Sequence, residues 1–286
     1  MNMTINDEIS RVVAAALRED LGGAGDITSS AIFGDDDSAT AIIRSKSAGV
    51  LSGVSLVRPV FAGCGGGAAI DIVRHDGEPL EPGSVICTVS GPVRTILAGE
   101  RTILNFLQRL SGIATLTARF AQAIGGTSAR LLDTRKTTPG LRLLEKQAVL
   151  HGGGCNHRIG LYDMILIKDT HVKRAGGVAR ALERAYSWRE KGGRSVAIEV
   201  EVQTEEEFAT ALGLRPDRIM LDNMQPDMMR RCVACRSAAG IAVELEASGN
   251  VTLGTIRSVA ETGVDFISVG ALTHSAPALD LHLVIQ

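Results

Sequence analysis

Aromatic residues are scarce: one Trp, two Tyr and six Phe make up 3% of the chain. Surfaces that stack nucleobases need such rings, so a nucleic-acid partner held by stacking is not expected. Charge of one sign is lacking too. The 30 Lys and Arg nearly balance the 32 Asp and Glu, leaving a net charge of −2, which argues against nucleic-acid binding driven by bulk charge. No apolar run approaches the ~18 residues needed to span a bilayer, so no membrane partner is expected. The amino terminus, MNMTINDEIS, is polar and acidic. It has no basic stretch leading into an apolar one, which excludes an ordinary secretory signal. Cysteines are few and odd in number, at 64, 87, 155, 232 and 235, which fits a reducing cytoplasm. Cys232 and Cys235 have the spacing of half a zinc site. With no second pair and a helical pattern around them, they read as helix packing.

What is present is a chain of 286 residues, 45% hydrophobic, long enough to bury a large core in one or two domains. Ile9, Val12, Val13, Ala16 and Leu17 recur at helical spacing over 7–21 and stop at Gly22-Gly23, as a helix should. Strands are expected at 39–44, 68–74 and 85–89, with the turn-rich HDGEPLEPGSV before the last. A long amphipathic helix follows over 97–123, with Leu97, Leu104 and Leu107 on its apolar stripe. Arg101, Asn105 and Gln108 lie together on a flank. This first section reads as α+β.

After residue 128 the pattern changes. Strand-length apolar runs recur at 130–133, 164–167, 196–202, 218–221, 241–246 and 265–269, and the last four are separated by single helices. Thr204 and Glu207 form a capping box, and Pro226 sits in the first turn of another helix. This is the pacing of a parallel sheet or barrel, with six strands visible and room for a seventh. In a barrel the carboxyl ends of the strands converge on one mouth, where active sites lie. Here those ends carry Asp133, Thr134, Arg135 and Lys136, then Lys168 and Asp169, then Glu201, Asp222-Asn223, Glu246 with Ser248-Gly249-Asn250, and Gly270. Glu199 and Glu201 alternate on one strand and so project to one face.

The window from Arg130 to Arg174 holds nine Lys/Arg against four Asp/Glu, a local net of +5, so the rest of the chain sums to −7. Such a run is usually a solvated face. Gathered at one mouth, Arg135, Lys136, Arg158 and Lys168, with His157, would instead repel one another, which implies a polyanionic ligand for the guanidinium forks and ammonium groups. Ser248-Gly249 follows a strand and precedes a helix, so its backbone can approach a phosphate at free N–H groups, with Gly270 completing the cradle. Glu201 and Asp222 can hold Mg2+ through oxygen, directly or through water, or accept ribose hydroxyls. They can equally serve as charge balance for the lysines.

The segments ERTILNFLQRLSGIAT, DTRKTTPGLRLLEKQAVLHGGGCNHRIGLYDMILIKDTH, VEVQ, LDN, EASGN and VGALTHS together resemble the quinolinate phosphoribosyltransferase family, and the likeness extends to EDLGGAGDITS near the start. The resemblance implies an α/β fold: an incomplete, about seven-stranded α/β barrel over 113–275, preceded by a sandwich-like α+β domain over 1–112, with the tail 276–286 packing back on that domain. It implies transfer of phosphoribosyl from phosphoribosyl pyrophosphate to quinolinate with decarboxylation, giving nicotinate mononucleotide, pyrophosphate and CO2, with Mg2+ as cofactor. Carried over by motif, Arg135, His157, Arg158 and Lys168 would hold the quinolinate carboxylates and part of the donor, with Thr134 beside them. Lys136 would lie along the pyrophosphate, Glu201 and Asp222 would serve the ribose and Mg2+, and Ser248, Gly249 and Gly270 the 5′-phosphate, with His274 near it. Lys136, Lys168, Glu201 and Asp222 are thereby the expected catalytic groups. The family also implies a homodimer in which Arg101 reaches the partner's site. Two positions depart from the usual family pattern: Thr170, where Asn is common, and Cys155. Rival readings are a Schiff-base lyase using Lys168, a phosphoribosyltransferase for another acid such as nicotinate, and a polyanion-binding relative without activity.

Overall fold

The computed structural model describes residues 4–286, so the first three residues of the polar amino terminus lie outside it. Among the described residues twelve strands form: β1 (Ser38–Ser45), β2 (Gly49–Val50), β3 (Ala69–Ile72), β4 (Pro79–Leu80), β5 (Val85–Pro92), β6 (Arg130–Leu132), β7 (Met164–Ile167), β8 (Ala197–Val202), β9 (Arg218–Asp222), β10 (Glu244–Ser248), β11 (Phe266–Ser268) and β12 (Leu281–Ile285). The chain also packs as two compact units, each built from separated stretches. The first takes the amino-terminal residues through Ala118, then Thr137–Gly153 and Ala271–Gln286; the second takes Arg119–Lys136 and Gly154–Gly270.

In the first unit, the helix Ile5–Leu21 opens on a capping box between Thr4 and Asp7 and buries Ile9, Val12, Val13 and Leu17. The four-stranded sheet has the order β12-β1-β5-β3 and is antiparallel throughout. Strand β1 alternates as a half-buried strand must, with Ala41, Ile43 and Ser45 inward. The tail supplies β12 at the edge of this sheet, pairing Ile43 with Leu283.

The helix expected over 97–123 runs from Val93 to Ala123. Gln108 does not share the solvent flank with Arg101 and Asn105. Its side chain donates to the Leu281 carbonyl at 2.8 Å, and its own carbonyl accepts from the Leu279 N–H. Within segment 137–153, Glu145 is wholly buried. Its carboxylate accepts from Arg109 at 3.1 and 2.9 Å and from the Thr138 N–H and hydroxyl at 3.1 and 2.7 Å.

In the second unit, six parallel strands form one sheet in the order β6-β11-β10-β9-β8-β7, a partial α/β barrel with helices between successive strands. The seventh strand is reduced to one parallel bridge between Leu132 and Cys155. It is made by main chain: the Cys155 N–H donates to Leu131 O at 2.8 Å, and the Asp133 N–H to Cys155 O at 3.1 Å. Beyond it, the N–H of His157 donates to the Asp133 carboxylate at 2.8 Å. The strand expected over 241–246 lies at 244–248 instead. Ile241-Ala242-Val243 forms a tight turn, with the Val243 N–H on the Ile241 carbonyl, and ladder pairing starts only at Glu244 opposite Arg218.

Candidate active site

The carboxyl ends of these six strands bring most of the expected residues together within the second unit. After β6 the chain turns at Thr134, whose hydroxyl accepts the Lys136 N–H at 3.0 Å. That turn presents Arg135 half-buried and Lys136 exposed. After the bridge at Cys155 come His157 and Arg158, both buried. One guanidinium nitrogen of Arg158 donates to the Met164 carbonyl at 3.1 Å. Burial first, then the nearby Arg135 guanidinium, makes the charged form of Arg158 less favourable than usual, while Glu199, Asp163 and Glu201 act the other way. Two guanidinium groups are thus held close in a poorly solvated place.

Lys168 follows β7 and reaches the Glu201 carboxylate at 3.3 Å. The other Glu201 oxygen accepts the Asp169 N–H at 3.2 Å, at the start of helix Asp169–Ala175. Asp222 ends β9 and accepts from the Gln203 carboxamide at 3.1 Å. Glu201 and Asp222 are both half-buried and stand on β8 and β9, which are neighbours in the sheet. Partly solvated carboxylate oxygens of this kind suit Mg2+, which keeps several waters and takes one or two protein carboxylates beside substrate phosphates.

Ser248 ends β10 and accepts the Asn223 N–H through its carbonyl at 2.8 Å. Gly249 has φ +101°, and a Cβ there would overlap the Asn223 side chain, so glycine is required on both counts. Asn223 and Asn250 are both left-handed, with φ 54° and 52°, and the Asn250 side chain donates to that of Asn223 at 3.2 Å. After glycine, short polar side chains such as Asn tolerate that conformation best. Gly270 lies just past β11, after Val269 has donated its N–H to Leu132 O. Arg101 and His274 belong to the first unit, where both are exposed. The His274 ring lies 2.6 Å from the Ser275 hydroxyl.

Beneath the mouth lies a second tier that the strand-end pattern did not reveal. Glu199 and Glu246 are wholly buried. Glu246 had been expected at a strand end, but the shift of β10 to 244–248 places it mid-strand. Arg218, from β9 between them, donates to Glu246 at 3.0 Å and to Glu244 at 2.8 Å. Its guanidinium lies 4.0 Å over the Phe266 ring. Burial pushes both carboxyls up, Glu199 to about 7 and Glu246 to about 8, with Arg218 pulling both partly back. The signal available in sequence was Glu199 itself, an acid two residues from Glu201 on an otherwise apolar strand.

Fold and strand ends together define a protein of the α/β-barrel class with cations and carboxylates gathered at its strand ends. Comparison with known proteins makes the class particular. Residues 26–111 match the quinolinate phosphoribosyl transferase N-terminal domain and residues 113–284 the C-terminal domain. A Bacillus subtilis (strain 168) protein named as a probable carboxylating nicotinate-nucleotide pyrophosphorylase is 42% identical over 93% of this chain and 89% of its own length. The chloroplastic carboxylating nicotinate-nucleotide pyrophosphorylase of Arabidopsis thaliana is 41% identical over 98% of this chain and 83% of its own. The solved nicotinate-nucleotide pyrophosphorylase of Francisella tularensis superposes with a TM-score of 0.92 at 40% identity, covering 100% of this chain and 98% of that one. The chain belongs to the quinolinate phosphoribosyltransferase family.

Proposed function

We propose that the mouth formed by these strand ends carries out the reaction of the family: phosphoribosyl transfer from phosphoribosyl pyrophosphate to quinolinate with decarboxylation, yielding nicotinate mononucleotide for NAD biosynthesis. The observation that carries this reading is the gathering of Arg135, Arg158 and Lys168 at the ends of the sheet's strands, with Arg158 buried and Lys168 3.3 Å from Glu201. Like charges so placed are stabilised by a polyanion, and quinolinate brings two carboxylates while the donor brings a phosphate and a pyrophosphate.

Arg135 and Arg158 would grip quinolinate carboxylates, with Lys168 and Thr134 beside them. Lys136, exposed at the turn, would follow the departing pyrophosphate. Glu201 and Asp222 would face the ribose and hold Mg2+, directly or through water; the ion, when bound, neutralises charge on the pyrophosphate. Ser248, Gly249 and Gly270 would cradle the 5′-phosphate through main-chain N–H groups, with His274 a further phosphate contact. No covalent nucleophile is required. The pyridine nitrogen attacks the ribose carbon as pyrophosphate leaves, and the protein contributes positioning and electrostatic stabilisation. A Schiff-base role for Lys168 needs a neutral amine, and its ion pair with Glu201 opposes that.

We further assign a homodimer in which Arg101, exposed on its helix, enters the partner's site, and a cytoplasmic setting, which five free cysteines support. Among the described residues no helix is long and apolar enough to cross a membrane. Incubation with Mg2+, phosphoribosyl pyrophosphate and either quinolinate or nicotinate tests the reaction. Nicotinate mononucleotide and CO2 from quinolinate alone is the expected result; product from nicotinate alone would overturn the substrate assignment. Mixing inactive Arg101→Ala and Lys136→Ala subunits should restore activity through dimers with one intact site. No recovery in demonstrably mixed dimers would refute sharing.

A further inference from the structure

The chain returns from the second unit to the first after Lys136 and again after Gly270. Both residues belong to the reading of the donor site, Lys136 along the pyrophosphate and Gly270 at the 5′-phosphate. In the first unit both returning stretches end on the same pair of side chains, Arg109 and Glu145. Thr138, just past Lys136, donates its main-chain N–H to Glu145 Oε2 at 3.1 Å and its hydroxyl to Glu145 Oε1 at 2.7 Å. Arg109 donates to Oε1 from Nε at 3.1 Å and from Nη2 at 2.9 Å. The same guanidinium holds the stretch after Gly270. Its Nη2 donates to the Thr273 carbonyl, and its Nη1 to the Ala276 carbonyl at 3.3 Å.

Local sequence prepares this arrangement. Thr138-Pro139-Gly140-Leu141 is a tight turn: the Leu141 N–H donates to the Thr138 carbonyl at 3.0 Å, and Pro139 precedes a Gly140 with φ +81°, as a type II turn demands. The Gly140 carbonyl is held in turn by Arg11, from helix Ile5–Leu21, at 2.5 Å. On the other side of Lys136, the Thr134 hydroxyl closes the turn that contains Arg135. Lys136 thus stands between a turn fixed in the second unit and a threonine fixed in the first, whereas Arg135 lies inside the former. Glu145 is wholly buried and Arg109 half-buried. A buried carboxylate is costly to separate from its cation, so the pair is a rigid anchor.

We propose that Arg109, Glu145 and Thr138 are positioning residues for the phosphoribosyl donor: one buried ion pair sets where the main chain re-enters the first unit after Lys136 and after Gly270. This rests on the reading of Lys136 and Gly270 as donor contacts. His274, the further phosphate contact, follows Thr273 directly, so the same guanidinium sets its main chain too. None of the three positioning residues touches a substrate. Their part is orientation, and a misplaced anchor must be corrected out of the donor's binding energy. The quinolinate contacts are held otherwise, within the second unit: Arg135 by the Thr134 turn and Arg158 by the Met164 carbonyl.

Calorimetric binding of phosphoribosyl pyrophosphate with Mg2+, without any acceptor, and steady-state kinetics test it. Thr138→Val removes the hydroxyl and keeps the branched shape. It should weaken donor binding about tenfold, the loss of one hydrogen bond to a charged group, and raise KM for the donor in proportion. KM for quinolinate should stay within about twofold. Thr138→Ser, which restores the hydroxyl, should return donor binding to near the wild-type value. Arg109→Lys keeps a charge beside Glu145 but cannot serve Glu145, Thr273 and Ala276 together, and it should also weaken donor binding about tenfold. Should that variant fail to fold, the two Thr138 variants decide alone. Equal donor affinity in wild type and Thr138→Val, no recovery in Thr138→Ser, or an equal rise in both KM values would overturn the proposal. Wild-type protein that binds the donor yet makes no product from quinolinate would remove the substrate reading, with the donor affinities still judging the anchor. Wild-type protein that binds no donor would overturn both.

Discussion

Glu199 and Glu201 stand two residues apart on β8 and project to the same face, yet they live in different solvents. Glu201 is half-buried at the strand end, where a lysine and a helix-start N–H meet it. Glu199 is one layer down, wholly buried and pushed up to about 7. Asp222 and Glu246 repeat the division on β9 and β10. Depth along a barrel strand thus sorts identical chemistry into two environments: partly solvated charge above, and buried, pKa-raised carboxyls below. Orientation of the side chain is shared by both tiers, so it cannot be what separates them.

The sharpest way to break this comparison is to remove the cation of the lower tier. Above pH 8, where Glu199 and Glu246 are both ionised, Arg218→Leu leaves them buried without their counter-charge and should destabilise the fold by ~3–5 kcal/mol, read as a lower midpoint in chemical denaturation. A change under about 1 kcal/mol would mean that the tier is not a coupled unit. The same tier should give stability a pH slope. The unfolded Glu246 ionises near its ordinary 4.5, whereas the folded one holds its proton to about 8. Between those values the native state binds more protons, so its stability is greatest below about 4.5 and falls as pH rises towards 8. Glu246→Gln should flatten that fall, measured by melting across the range.

The upper tier should respond in the opposite manner. Glu201→Ala should lower kcat roughly a hundredfold while shifting stability by no more than about 1 kcal/mol, because its ion pair is partly exposed. Loss of stability with activity retained would reverse the assignment of tiers. Smallest is Arg135→Lys, which keeps the charge and loses the planar fork. It should weaken turnover or quinolinate affinity about tenfold, and wild-type kinetics would remove Arg135 from the site.

Much of this was legible in the sequence because strand ends announce themselves: an apolar run stops and a charge follows, as at Leu132 to Arg135, Ile167 to Lys168 and Leu221 to Asp222. The family motifs then supplied roles that spacing left open. The lower tier was hidden because depth is set by where ladder pairing begins. Ile241-Ala242-Val243 is as apolar as a strand but is consumed by a turn, and that displacement carries Glu246 from mouth to interior. Cys155 escaped as a strand because a single main-chain bridge leaves no alternation to read. Gln108 looked like a polar flank residue, since nothing local to the helix announces a partner 173 positions away.

The left-handed pair Asn223 and Asn250, with Gly249 between them in space, has a consequence for anyone redesigning this mouth. The loops after β9 and β10 are one object: the main chain of one caps the other, and no Cβ fits at 249 unless 223 gives way. A library that randomises either loop alone will return mostly broken proteins, while paired changes at 223, 249 and 250 search a far smaller and more productive space. Evolution of a new loop conformation here would meet the same bottleneck, advancing by compensated pairs of changes and not by single steps.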